Sequence, residues 1–175
     1  MAEQSVTSRR ELFRGFARRV QGKNAELQVI RPPGALEESL FIETCERCDK
    51  CIRACTPEII RPGDGGFPQL DFAKAGCTGC SDCITACPSG ALAQPIQWPL
   101  GQLAFTDRCL AQQSITCQSC KDACDLQAIS FPVTTKTPTP VLASNLCSGC
   151  GECVSVCPVN AISITPVTQQ ERVIA

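Results

Sequence analysis

The sequence contains no histidine and no tyrosine, and it has a single tryptophan and a single methionine. Without histidine there is no Ser-His-Asp or Cys-His catalysis, no histidine-bound zinc, and no histidine-bound haem or Rieske centre. The hydrophobic fraction of 43% includes sixteen cysteines, so the remaining apolar side chains would make a thin core for 175 residues. We therefore expect something other than side-chain packing to organise this chain.

Long apolar runs are also missing. The longest, residues 96–105, is interrupted by Gln97, Pro99, Gly101 and Gln102. It is shorter than the roughly 18 apolar residues that a membrane-spanning helix needs. We expect no transmembrane segment. No secretory signal is visible, which argues against a secreted, disulfide-bonded scaffold.

Cysteine is what the sequence has in excess, at 16 of 175 residues. All sixteen fall into four groups, and three of the groups read C-x2-C-x2-C-x3-C. The third group has seven residues between its first and second cysteine and is otherwise the same. The four motifs are Cys45, Cys48, Cys51 and Cys55; Cys77, Cys80, Cys83 and Cys87; Cys109, Cys117, Cys120 and Cys124; and Cys147, Cys150, Cys153 and Cys157.

This spacing is typical of bacterial ferredoxins that bind [4Fe-4S] clusters. A [4Fe-4S] cube has four iron corners, and each iron takes one thiolate. One short loop supplies three thiolates, and the fourth cysteine of the motif binds the cube of the partner motif. We expect that fourth cysteine to open a helix. A zinc site would use C-x2-C pairs and would not need a third cysteine in each loop.

The exchange of fourth cysteines predicts four [4Fe-4S] sites, two from motifs one and two and two from motifs three and four. We number them by the motif that supplies three ligands. Site I is Cys45, Cys48, Cys51 and Cys87; site II is Cys77, Cys80, Cys83 and Cys55; site III is Cys109, Cys117, Cys120 and Cys157; site IV is Cys147, Cys150, Cys153 and Cys124.

Each motif is followed by a short apolar step, which predicts a short helix after the fourth cysteine and then a strand. The expected strands are residues 67–72, 128–132, 140–144 and 161–165. The fold class is therefore α+β, with two ferredoxin-like 2×[4Fe-4S] modules in tandem and an N-terminal basic helical arm. The expected boundaries are 1–37 for the arm, 38–96 and 97–167 for the modules, and 168–175 for a tail.

The long spacer of the third motif, residues 110–116, has two interpretations. It shields the adjacent cluster from solvent or tunes its potential, which depends on exposure and hydrogen bonds. Alternatively, it is a tolerated insertion.

Residues 1–31 form a basic arm with seven basic and three acidic residues, a net charge of +4. Ser8 and Glu11 fit a helix-capping box, and the apolar residues that follow recur at helical spacing. This amphipathic helix would dock on an acidic protein surface, on a membrane surface, or on the chain's own body. The candidate partner-binding residues are Arg9, Arg10, Leu12, Phe13, Arg14 and Phe16.

The rest of the chain holds nine basic and fourteen acidic residues, a net charge of −5. Each oxidised [4Fe-4S] cluster with four thiolates would add about −2, which takes the loaded body to about −13. The near-neutral total of −1 therefore conceals a basic arm on a strongly acidic body.

The chain resembles the NapF family, the ferredoxin-type proteins of the periplasmic nitrate reductase system. The resemblance covers residues 8–164 and rests on five segments: Ser8-Arg9-Arg10, Ile30-Arg31-Pro32-Pro33, Cys45-Glu46-Arg47-Cys48-Asp49-Lys50-Cys51, Gly65-Gly66-Phe67-Pro68 and Cys109-Leu110-Ala111-Gln112-Gln113-Ser114. It implies a cytoplasmic iron–sulfur protein that binds the precursor of the catalytic nitrate reductase subunit before export and helps to mature its iron–sulfur centre.

Two functions remain open. One is an accessory factor in maturation of the nitrate reductase precursor; the other is an electron-transfer polyferredoxin for a dehydrogenase or reductase. We do not expect an enzyme, because no acid–base or nucleophilic constellation remains once the cysteines bind iron. We expect no nucleic-acid partner. The exported polyferredoxin of the same system is disfavoured, because charged residues occupy the place of an apolar export segment after Arg10.

Overall fold

The computed structural model describes residues 29–133 and 138–167. Its elements are short and mixed, which confirms the α+β content. They are, in chain order, α1 (Glu38–Thr44), α2 (Lys50–Ala54), β1 (Ile60–Pro62), β2 (Pro68–Leu70), α3 (Asp82–Thr85), β3 (Gly101–Phe105), α4 (Ser119–Asp122), β4 (Ile129–Ser130), β5 (Val141–Leu142), α5 (Glu152–Ser155) and β6 (Ile162–Pro166). Within these ranges no helix is long and apolar enough to cross a membrane. The predicted arm helix lies outside the described residues.

Three two-stranded antiparallel sheets connect the elements. The hairpins β1–β2 and β4–β5 each link two successive cysteine motifs, with Ile60 opposite Leu70 and Ile129 opposite Leu142. The third sheet joins β3 to β6 over five residue pairs, from one end of the C-terminal half (residues 97–167) to the other. In the N-terminal half (residues 29–96) the corresponding ends meet only at an isolated bridge between Ala35 and Leu92.

The four predicted strands are all present, mostly as shorter segments that correspond to β2, β4, β5 and β6. β1 and β3 were not predicted. β3 pairs with a strand about sixty residues further along the chain, so its partner is invisible to local pattern. Glycine weakens a strand, so Gly101, the first residue of β3, is a sequence signal against one. The structure explains the glycine, because a side chain at this position would overlap Ile164.

The expectation that the fourth cysteine opens a helix was wrong. In every motif the third cysteine lies within the helix, and the amide of the fourth closes the last turn, as in Cys55 N to Ile52 O at 3.3 Å and Cys87 N to Ile84 O at 3.1 Å. Pro88 and Pro158 therefore stand in the turn after the helix, where a residue without an N–H is also tolerated.

The apolar core has two parts, one in each half. The first includes Phe41, Ile59 and Leu92, each at most 1% exposed. The second is smaller and includes Ile129, Phe131 and Ile162. Cysteines contribute to both parts, and Val154 packs against both, so the two halves share a continuous apolar contact.

Candidate metal centres

Sites I and II lie in the N-terminal half, and the structure brings together the four cysteines of each. The cysteines of site I line a partly open recess, together with Phe41 and Leu92. Those of site II line a similar recess, together with Ile59 and Leu70. In both sites three cysteines come from one motif and the fourth from the other.

Sites III and IV show the same exchange in the C-terminal half. The four cysteines of site III line a partly open recess with Phe105 and Phe131. At site IV Cys147 is half-buried; this burial raises its pKa, and the neighbouring charges that raise it further belong to Cys150 and Cys124. Cys124 therefore faces motif four rather than its own motif.

The sulfurs of each site surround a space and do not meet at a point. All sixteen cysteines are free thiols. In the ranges 29–133 and 138–167, no three His, Cys, Asp or Glu side chains are close enough to bind a single metal ion. A [4Fe-4S] cube needs this separation, because each thiolate binds a different iron at a different corner.

The loops of motifs one, two and four reach this arrangement through left-handed backbone at two positions. The second and fourth residues after the first cysteine have positive φ in each: Arg47 and Asp49, Gly79 and Ser81, and Gly149 and Gly151. Alternating left-handed residues turn successive N–H groups toward the enclosed side, which forms a concavity that attracts negative charge. Such a loop suits a cluster whose thiolates make it anionic.

A further left-handed residue follows every motif, three positions after the fourth cysteine: Glu58, Gly90, Gln127 and Asn160. After motifs two, three and four this turn directs a later backbone N–H at the sulfur of the fourth cysteine. Ala128 N lies 3.3 Å from Cys124 Sγ, Ala161 N lies 3.2 Å from Cys157 Sγ, and Leu92 N lies 3.4 Å from Cys87 Sγ. These amides stabilise a thiolate, since they donate to the charged form.

The third cysteine of each motif is the least able to ionise without metal. Burial, followed by the charges of neighbouring cysteines, raises the pKa of Cys83 to about 12 and that of Cys153 to about 12. Burial is also the main reason that the pKa values of Cys51 and Cys120 rise to about 11. A buried thiolate at these positions needs a nearby positive charge, which iron supplies.

Cys87 is the exception among the shifted thiols. Burial acts to raise its pKa, but hydrogen bonds from the Leu92 amide, the Ser89 hydroxyl and the amides of Gly90 and Ala91 outweigh it, and the pKa is lowered. The turn after the helix therefore favours the thiolate form of this cysteine.

The spacer of the third motif is an ordered series of turns. Gln113 N donates to Cys109 O at 3.1 Å, and Ile115 N donates to Leu110 O at 2.9 Å. Leu110 lines the site III cavity, and Ala111 is 4% exposed in the second core. The start of the spacer therefore covers site III, while Ile115 is 51% exposed.

The geometry fits [4Fe-4S] clusters: four thiols around each space, apolar walls, and amides that support the thiolates. The left-handed residues and these amides were missed in the sequence. Glycine two residues after the first cysteine of motifs two and four was a usable signal, but Arg47, Asp49 and Ser81 carried none. The predicted partner-binding residues Arg9, Arg10, Leu12, Phe13, Arg14 and Phe16 lie outside the described residues.

Family models agree with this reading of the cysteines. Residues 44–91 match a 4Fe-4S dicluster domain, and residues 140–163 match a 4Fe-4S binding domain. These ranges contain motifs one, two and four. The chain therefore has two ferredoxin-type domains that bind [4Fe-4S] clusters.

Similar proteins cover most of the chain. The ferredoxin-type protein NapF of Escherichia coli K12 is 44% identical over 137 residues, which span 77% of this chain and 83% of the relative. NapF of Haemophilus influenzae is 38% identical over 81% of this chain and 82% of its own. The ferredoxin-type protein NapG of Escherichia coli K12 is 30% identical over 79% of this chain and 71% of its own. At this identity and coverage, the chain belongs to the NapF family of ferredoxin-type proteins.

Proposed function

We propose that this protein carries four [4Fe-4S] clusters and acts in the cytoplasm as an accessory factor for the catalytic subunit of the periplasmic nitrate reductase, which it binds as a precursor before export. The observation that supports the proposal is that the four cysteines of each of sites I, II and III line one recess, and that Cys150 and Cys124 are neighbours of Cys147 at site IV. Membership of the NapF family supplies the link to the nitrate reductase system.

Each site would hold its cluster with the four cysteines that define it. When bound, the clusters supply one-electron redox chemistry. The chain's own residues would place the four thiolates of each site around one cluster; they direct the amides of Leu92, Ala128 and Ala161 at three of the sulfurs and line the sites with apolar side chains. Hydrogen bonds to the sulfurs and exposure are the means by which a protein sets the reduction potential.

The charge distribution supports a docking role for the arm. Residues 1–31 carry a net charge of +4 on a body of −5, which clusters make more negative. A basic amphipathic segment on an acidic body fits a partner that presents an acidic or apolar groove. The precursor of the nitrate reductase catalytic subunit is the partner that the family suggests.

Anaerobic co-purification with the tagged precursor tests this proposal. The native chain, with intact clusters verified by iron and sulfide analysis, should be recovered with the precursor. The double variant R9Q/R10Q should lose most of the recovery. The matched control K74Q/K121Q removes the same charge from two exposed body residues and should keep it. No recovery of the native chain, or equal loss in both variants, would contradict the proposal.

The cytoplasmic location is tested separately by fusing residues 1–35 to a reporter that is active only after export. We expect no activity, because Arg14, Arg18, Arg19 and Lys23 occupy the stretch where an export signal needs apolar residues. Export of the reporter would overturn this part of the proposal.

A second candidate function is electron transfer to or from a redox partner, and the exposure of site II favours it. Cys80 is exposed, whereas the other fifteen cysteines are buried or half-buried. An electron carrier needs one such accessible site. Stopped-flow reoxidation of the reduced protein by the precursor, without loss of its own iron, would support electron transfer, whereas net loss of iron to the precursor would support cluster donation.

A further inference from the structure

Two hydrogen bonds join the N-terminal half to the C-terminal half at the second and fourth motifs. Gly76 N donates to the Glu152 carboxylate, with 2.7 Å between N and Oε2. The next amide, Cys77 N, donates to Cys150 O at 2.8 Å. Cys77 is the first cysteine of motif two, and Cys150 is the second cysteine of motif four. Two cysteine loops therefore contact each other directly through their backbones.

Glycines make this close approach possible. A side chain at Gly151 would overlap the ring of Phe72, and one at Gly76 would lie 2.6 Å from Glu152 N. Phe72 is 4% exposed in the first core, and Val154 packs against both cores. The two halves are consequently held at one distance by tight packing and not by the linker alone.

The contact places site II beside site IV. It joins the amide of Cys77, a ligand of site II, to the carbonyl of Cys150, a ligand of site IV, at 2.8 Å. Within the C-terminal half, Cys120 of site III and Cys153 of site IV belong to the same buried apolar cluster. The sites are thus neighbours in the order I, II, IV, III, which differs from their order along the chain.

We propose that Glu152 is a positioning residue that fixes site II against site IV, so that these two sites are the redox-coupled pair between the halves. The proposal rests on the four-cluster part of the proposed function. One electron passes from the reduced site to the oxidised site, with no bond formed or broken, and a low-potential one-electron reductant such as dithionite supplies it from outside.

The position of Glu152 within motif four explains why it holds site II against site IV and why the residues at the same position of the other motifs do not. It directly precedes the third cysteine of motif four, where the other motifs have Lys50, Asp82 and Ser119. Asp82 holds the same place in site II and is exposed, whereas Glu152 is half-buried with its carboxylate on Gly76 N. Asp82 is therefore a matched control: an acid at the same motif position without the bond between halves.

The first test compares E152A, E152Q and D82A in the full chain, after iron and sulfide analysis shows the native cluster content in each. Hydrogen exchange at the Gly76 and Cys77 amides should be about tenfold faster in E152A, as loss of a hydrogen bond to a charged acceptor predicts. E152Q should remain near native, because its amide oxygen still accepts from Gly76 N. D82A should be indistinguishable from the native protein.

Electron paramagnetic resonance spectra of the dithionite-reduced proteins give a second measurement, which does not depend on the stability of the fold. Broadening from magnetic interaction between sites II and IV should weaken in E152A and persist in E152Q and D82A. Native exchange and an unchanged spectrum in E152A would overturn the proposal, and so would an E152Q variant that behaves like E152A. A deficit of iron in the native chain would instead contradict the four-cluster proposal.

A glycine pair keeps the test decisive if E152A loses its clusters. Gly151 and Gly66 both have left-handed backbone, with φ of +84° and +78°, so alanine strains both alike. At Gly151 the new methyl group would overlap the Phe72 ring, whereas at Gly66 the nearest atom is Arg47 Cδ at 3.8 Å, an ordinary contact. G151A should weaken the magnetic interaction and G66A should not. Equal spectra would overturn the proposal.

Discussion

The two halves of the molecule hold the same arrangement of cysteines but close it differently. In the C-terminal half, β3 and β6 pair over five residues and tie the ends together. In the N-terminal half the ends meet at one bridge, Ala35 to Leu92, and helix α1 covers site I instead. The cysteine loops and the turns after them are therefore common to both halves, whereas the contacts that close each half differ.

The cover of site I is itself a small polar and aromatic cluster. Phe41 and Phe67 pack with ring centroids 6.3 Å apart, and the Arg31 guanidinium lies 5.0 Å from the Phe41 ring and 5.8 Å from the Phe67 ring. Arg31 also binds Glu38 and donates to Pro68 O. This cluster closes the N-terminal half, as the pairing of β3 with β6 closes the C-terminal half.

The largest expected effect tests the exchange of cysteines that both halves share. C87S should remove the cluster of site I, about 4 of about 16 irons per chain. The double variant C87S/C48S should lose no further iron, because Cys48 comes from motif one but belongs to the same site as Cys87. The double variant C87S/C80S should lose about 4 more irons, because Cys80 comes from the same motif as Cys87 but belongs to site II. Iron and sulfide analysis decides, and the reverse pattern would show that each motif binds its own cluster.

Next in size is the loss of the aromatic cover in the N-terminal half. Phe41 is 0% exposed, so F41A should lower the free energy of unfolding by about 3–5 kcal/mol, through lost burial and a cavity beside site I. L40A is the control on the same helix, because Leu40 is 48% exposed. Anaerobic urea unfolding measures both variants. An F41A midpoint equal to that of L40A would mean that α1 is not a structural cover.

A smaller effect is expected at site III, where the spacer distinguishes the C-terminal half. L110A opens the cavity wall and should speed bleaching of cluster absorbance by oxygen a few-fold, because solvent access increases. I115A, in the same spacer but 51% exposed, should bleach at the native rate. If both variants match the native protein, the spacer is a tolerated insertion.

The smallest effect concerns the arginines at site I. R31Q should cost about 1–2 kcal/mol, since it removes the partly buried contact with Glu38 and two aromatic contacts. R47Q should cost less than about 1 kcal/mol, because Arg47 is exposed and lies over Phe67 alone, at 5.1 Å. Thermal unfolding under anaerobic conditions compares them, and equal shifts would assign no structural role to the Glu38 pair.

The sequence predicts which four cysteines form each site, because motif spacing reflects the shape of a cube. The cysteines predicted for sites I, II and III each line one recess of the structure. It also located four of the six strands that the structure has within residues 29–133 and 138–167, through the apolar steps after the motifs. It placed the helices on the wrong side of the fourth cysteine, since the left-handed residues that set the helix start include Asp49 and Ser81, which have no glycine signal.

The long-range contacts were beyond reach for a different reason. β3 pairs with β6 across about 60 residues of chain. Glu152 accepts a hydrogen bond from Gly76 across 76 residues of chain. Neither contact leaves a periodic pattern within its own segment. There is no room for a side chain at Gly76, Gly149 and Gly151, because another segment of the chain lies against each of them. Only the folded structure shows which segment that is.

We propose that each half of the molecule binds two [4Fe-4S] clusters with exchanged fourth cysteines. The most direct test is to measure iron and acid-labile sulfide in the anaerobically purified native chain. We expect about 16 of each per chain, four per site. A reproducible count near 8 in protein with full visible cluster absorbance would contradict it.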